Sequence, residues 1–127
     1  MLNQFIKGYI TCLLWTSTDD KGNPLDRDHC EEDISKEAMK MIVDDCVKFY
    51  GENKVNLIFY TNEVTSGDGE PWATAGHDFW CTRSGQGCGF WDRDGVDQDI
   101  GIFLTDAACK YKNLSPIVGD DDLIYLE

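Results

Sequence analysis

Residues 75–95, AGHDFWCTRSGQGCGFWDRDG, hold one of the two histidines, two of the four tryptophans and two of the three arginines in the chain. These residue types could do two kinds of chemistry. A hydrolase would use His77 as general base, Asp78 or Asp92 to orient it, and Cys81 or Ser84 as nucleophile. A binding surface would use His77, Trp80, Arg83, Trp91 and Arg93, because indole faces stack on planar groups and guanidinium forks pair with anions.

The two aromatic-rich arms flank Ser84-Gly85-Gln86-Gly87, which predicts a β-hairpin: strand formers on either side of a turn that tolerates positive φ. Strand alternation then puts His77, Phe79, Cys81 and Arg83 on one side and Asp78, Trp80 and Thr82 on the other. In the second arm Cys88, Phe90 and Asp92 oppose Gly89, Trp91 and Arg93. Adjacent His77 and Asp78 would face apart on a strand, so a dyad would need a bulge, and no nucleophile elbow is present. The competing structural use is that Phe79, Trp80, Phe90 and Trp91 fill the core while Asp78 or Asp92 pairs an arginine.

No metal and no cofactor is expected. His29 and Cys30 lie among carboxylates, but neighbouring residues chelate a single ion poorly. Residues 92–99 suggest a calcium loop, yet glycine follows the second aspartate instead of the third, so an acidic cap before a helix fits better. The six cysteines, at 12, 30, 46, 81, 88 and 109, include no C-x-x-C pair, which argues against a zinc ribbon. Free thiols in a reducing cytoplasm are expected. Cys46 and Cys109 fall on apolar helical faces and would serve as small core residues.

The elements that would position these groups follow from periodicity. Leu2, Phe5, Ile6, Tyr9, Ile10, Leu13 and Leu14 predict a first helix over 2–15. A polar loop with a Gly22-Asn23-Pro24 turn follows. Ser35 caps a second helix to Tyr50, with Asp33 as the rival cap. Residues 51–53 stop or bend it, and 54–60 continue as helix. Residues 61–74 read as a loop with Trp72 as an anchor and Ser66-Gly67-Asp68-Gly69 as its flexible part. A helix over 96–112 and a second hairpin, 115–118 with 123–126, complete the chain. The expected fold class is α+β: three to four helices on a small antiparallel sheet built from two β-hairpins, in a single domain over 1–127.

Twenty-four acidic residues oppose 11 basic ones, a net charge of −13. This argues against direct contact with nucleic acid, whose phosphates need lysine and arginine, and against anionic membranes. It suits a protein partner with a basic surface. Asp26, Asp28, Glu31, Glu32 and Asp33 form one acidic run and Asp120, Asp121 and Asp122 another. The apolar N-terminal stretch is interrupted by Lys7, Gly8 and Thr11, unlike a signal peptide, and no run is long enough for a membrane span. A cytoplasmic protein is expected; the sequence does not define its oligomeric state.

The segment GHDFWCTRSGQGCGFWDR, at 76–93, resembles a motif of small bacteriophage proteins known only as hypothetical. The resemblance extends to the helix at 35–50 and to GDDDLIY at 119–125. It implies a phage origin and the cytoplasm of an infected host, and it transfers no catalytic residue. By association it implies an inhibitor of a host system. The leading expectation is therefore a non-enzymatic acidic phage protein that binds and inhibits a host defence or nucleic-acid-handling protein, by nucleic-acid mimicry of the anti-CRISPR or anti-restriction type. The alternatives are a small-ligand or nucleotide binder using the 75–95 aromatics and arginines, and a small hydrolase centred on His77.

Overall fold

The computed structural model describes residues 1–65 and 69–127. Among them are six α-helices: α1 (Leu2–Thr16), α2 (Leu25–Asp28), α3 (Lys36–Glu52), α4 (Lys54–Glu63), α5 (Pro71–Ser84) and α6 (Gln98–Cys109). Short 3-10 turns lie at Glu31–Asp33 and Phe90–Asp92. The chain closes with β1 (Pro116–Val118) and β2 (Ile124–Leu126). These strands pair antiparallel, with Ile117 opposite Tyr125, so the second predicted hairpin is present.

The first predicted hairpin is not. The arm at 75–83 lies inside α5, and the arm at 88–93 is an irregular segment with one 3-10 turn. The expected fold of three to four helices on a two-hairpin sheet is therefore corrected to a mainly helical one with, among the described residues, a single two-stranded ribbon. Local chemistry explains the helix. Pro71 sits at its start, the Glu70 carboxylate accepts from the Ala73 N–H at 3.1 Å, and Gly85 closes it in the left-handed region at φ 68°. The Gln86 N–H reaches back to the Cys81 carbonyl at 3.1 Å, as in a Schellman close. The Ser84–Gly87 segment is thus a helix stop rather than a hairpin turn.

Helices α1 and α5 form the centre of the molecule, and glycine sets their spacing. A Cβ on Gly8 would lie 1.9 Å from the Ala73 carbonyl oxygen, and one on Gly76 would lie 1.8 Å from that of Phe5. The two backbones touch at reciprocal glycines, an approach that no side chain permits. Around this crossing pack Phe5, Tyr9, Phe49, Phe79, Trp80 and Phe90, all fully buried. The Phe49 and Phe79 rings stack with centroids 4.1 Å apart.

The other elements follow the expected faces with adjusted limits. The Ser35 hydroxyl caps α3 by accepting from the Ala38 N–H at 3.1 Å. Asn53 ends it, its side-chain amide donating to the Phe49 carbonyl. The predicted 61–74 loop is shorter, because α4 runs to Glu63 and α5 starts at Pro71; Trp72 stands in the first turn of α5 beside the Tyr50 ring. Ser66, Gly67 and Asp68 lie outside the described residues. Asp97 caps α6, so the 92–99 carboxylates include the helix cap expected of them. Cys46 is buried as expected, whereas Cys109 is exposed at the end of α6 and is no core residue. Among the described residues, no helix is long and apolar enough to cross a membrane.

Candidate functional site

A cleft of about 780 Å³ opens where α1, α5 and the segment after α5 meet. Cys12 and Trp15 line it from α1, His77 from α5, and Cys88, Asp92 and Arg93 from the following segment. Helical geometry places these groups. Cys12 is one turn beyond Gly8 and His77 directly follows Gly76, so the glycine crossing brings α1 and α5 side chains face to face.

Asp78 anchors the wall of this cleft from inside. Its carboxylate is fully buried and accepts from Arg93 Nε at 2.9 Å and Nη2 at 2.7 Å, a bidentate pair. The Tyr60 hydroxyl also donates to it. Burial pushes the Asp78 carboxyl up, but the hydrogen bonds from His77, Arg93 and Tyr60 outweigh burial and hold it below the usual carboxylate range. Burial, aided by the adjacent Asp78 charge, pushes the Tyr60 phenol well above its ordinary value, so it stays a donor.

His77 stands beside Asp78, with Nδ1 3.5 Å from Oδ1, and its ring lies 6.0 Å from that of Trp15. A strand would have separated this pair; consecutive positions on a helix let them meet. The Asp78 carboxylate first, and the Cys81 thiol second, raise the imidazole to about 9, so His77 is cationic at neutral pH. A cationic imidazole is no general base at that pH.

Behind His77 lies a group of thiols. Cys81 Sγ is 3.1 Å from Cys12 Sγ, 2.8 Å from Cys88 Sγ and 3.8 Å from His77 Nδ1. All six cysteines are free. The hydrogen bond with Cys12 and then burial push the Cys81 thiol up, away from an activated nucleophile. Ser84 donates its hydroxyl to the Trp80 carbonyl at 2.6 Å, so the other nucleophile candidate is occupied in its own helix.

The predicted ligand residues therefore separate. His77 and Arg93 share the cleft, although Arg93 is committed to Asp78. Trp80 is core: it is 1% exposed, and its indole N–H donates to Thr16 Oγ1. Arg83 is also internal, donating to Asp45 at 2.6 Å, to the Tyr9 hydroxyl and to the Lys112 carbonyl, with its guanidinium 5.2 Å from the Tyr111 ring centroid. Trp91 is half exposed. Sequence reasoning passed over Cys12, Trp15 and Cys88 as site residues. The i, i+4 pair His77 and Cys81 becomes visible once α5 is a helix, but only the crossing with α1 shows Cys12.

The acidic runs are brought together elsewhere. The Ser35 N–H donates to the Ile124 carbonyl at 2.9 Å, and Ile34 bridges to Ile124. His29 Nε2 meets Asp122 Oδ1 at 3.0 Å. Asp26, Asp28, Glu31, Glu32, Asp120, Asp121 and Asp122 are exposed and Asp33 is half-buried. His29 is thus engaged with the other acidic run, and among the described residues it is Cys12, His77 and Cys81, not His29 and Cys30, whose donor atoms stand close enough together to hold a metal ion.

Comparison with known proteins found no matching family model, no matching curated protein and no matching solved structure.

Proposed function

We propose that the chain is a non-enzymatic inhibitor that binds a basic, nucleic-acid-handling host protein through one acidic face. The supporting observation is the joining of two acidic runs, about ninety residues apart in sequence, by the His29–Asp122 contact and the Ile34–Ile124 bridge. The face carries eight carboxylates, Asp26, Asp28, Glu31, Glu32, Asp33 and Asp120 to Asp122, against Arg27 within the same runs. Spaced carboxylates on a folded scaffold present negative charge as a phosphate backbone does, and they steer a basic groove towards them. The phage resemblance points the same way.

The test is competition. Tagged protein captures its partner from bacterial lysate at low salt, and a DNA duplex or high salt releases it, because exposed charge contacts are screened. The variant Asp26→Asn, Asp28→Asn, Glu31→Gln, Glu32→Gln captures at least tenfold less. Undiminished capture by that variant would dismiss the proposal.

The cleft favours a second reading, a binder of small anionic ligands. Its supporting observation is a cationic His77 beside Trp15 at the mouth of a ligand-sized cleft. A nucleotide that raises Tm in the wild type but not in His77→Ala would favour this reading. No shift across a nucleotide panel would remove it.

A further inference from the structure

We propose that Cys12, His77, Cys81 and Cys88 form a binding site for one thiophilic divalent cation, with zinc the best chemical match. The donor atoms of Cys12, His77 and Cys81 all lie within 4.8 Å of one another, and Cys88 Sγ lies 2.8 Å from Cys81 Sγ. Tetrahedral zinc takes sulfur at about 2.3 Å and nitrogen at about 2.0–2.1 Å, which spaces its ligands about 3.3–3.8 Å apart. Cys12, His77 and Cys81 therefore already stand near ligand spacing, and Cys88, which lies outside that mutually close group, would swing in beside Cys81 to complete the set. Three thiolates and one imidazole are a structural zinc set. The absence of a C-x-x-C pair does not weigh against this, because the donors come from a crossing of two helices and a following segment.

The scaffold suits a preformed site. His77 and Cys81 are one turn apart on α5, and Cys12 comes from α1 across the backbone contact at Gly8 and Gly76. Cys12 and Cys81 are buried, while His77 and Cys88 are half exposed on the cleft wall, which leaves a path for the ion. Cys12 and Cys81 belong to the buried core, whereas Cys88 and His77 bring donors to them from the cleft wall. On ligation the three thiols and the His77 imidazolium each give a proton to solvent, and three thiolates, a neutral imidazole and the dication leave the site with one net negative charge.

The test is titration of reduced, metal-free protein with cobalt(II), which reports tetrahedral thiolate ligation by its visible absorption. One equivalent is expected to give intense d–d bands and a sulfur-to-cobalt charge-transfer band, both abolished by one equivalent of zinc. Cys12→Ala and Cys81→Ala should each weaken binding at least tenfold, while Cys109→Ala should bind as the wild type does. If the buried variants fail to fold, the half-exposed Cys88→Ala decides the matter. It should lose about a third of the charge-transfer intensity, as two thiolates replace three. The proposal is overturned if the wild type gives no such bands, if Cys88→Ala keeps the full spectrum, or if the isolated protein carries a disulfide among Cys12, Cys81 and Cys88 and takes up no metal.

Discussion

Asp78 shows how a single carboxylate can be charged and yet fully buried. Arg93, Tyr60 and His77 satisfy it, and its depressed pKa makes it a source of stability above the unfolded carboxylate value of about 4. That contribution is lost as pH falls through the lower folded-state value. Acid titration followed by circular dichroism should therefore show a loss of stability below pH of about 4 that Asp78→Asn lacks. At neutral pH the same variant should be less stable by about 3–5 kcal/mol in urea, because it leaves Arg93 without its charge partner. Arg83 carries a comparable load on the other side of α5. Arg83→Lys keeps a charge but not the fork that serves Asp45, Tyr9 and the Lys112 carbonyl together, so it should cost about 2–3 kcal/mol, read from the urea midpoint.

At the scale of elements, the α1–α5 crossing depends on what is missing at two positions. Gly76→Ala puts a methyl group within 1.8 Å of the Phe5 carbonyl oxygen and forces the helices apart. Its cost should exceed the roughly 1–3 kcal/mol typical of overpacking, seen as a large drop in Tm with near-UV dichroism collapsing first. Gly51→Ala is the control: nothing lies within 4 Å of its Cβ, and it should be neutral or mildly stabilising. The same helix shows where the sequence is legible and where it is not. Helices α1, α3 and α6 each keep one face towards solvent, so their apolar stripes appear in the sequence. Helix α5 is buried from Thr74 through Arg83 on every side but that of His77, so it has no polar stripe to mark its period. Its aromatics then imitate a strand. Pro71, Glu70 and Gly85 are the local marks that identify it as a helix. Of the site, His77 and Arg93 could be read from residue type alone. Asp78 could be read too, as the orienter of His77 or the partner of an arginine, although its meeting with His77 needs the helical period; Cys12 could not, because it needs the helix crossing.

At the scale of the whole molecule, the two acidic runs and the cleft are built from different residues. Carboxylates from both ends of the chain gather near Ile34 and Ile124, while the cleft between α1 and α5 carries His77 beside Trp15. The two surfaces can therefore be altered separately. Neutralising the acidic run should abolish salt-sensitive capture and leave cobalt binding intact, and Cys12→Ala should do the reverse. The contact between α1 and α5 also bears on synthesis. The partner that buries Phe5 and Tyr9 lies about seventy residues downstream, and a ribosome adding about 5–20 residues per second takes on the order of several seconds to deliver it. For that interval the first helix has only α3, through Phe49 and Tyr50, to cover Phe5, and the face that α5 buries stays open, a natural client for a chaperone. A transcript cut short before Phe79 would yield only such a client, with no native state to reach.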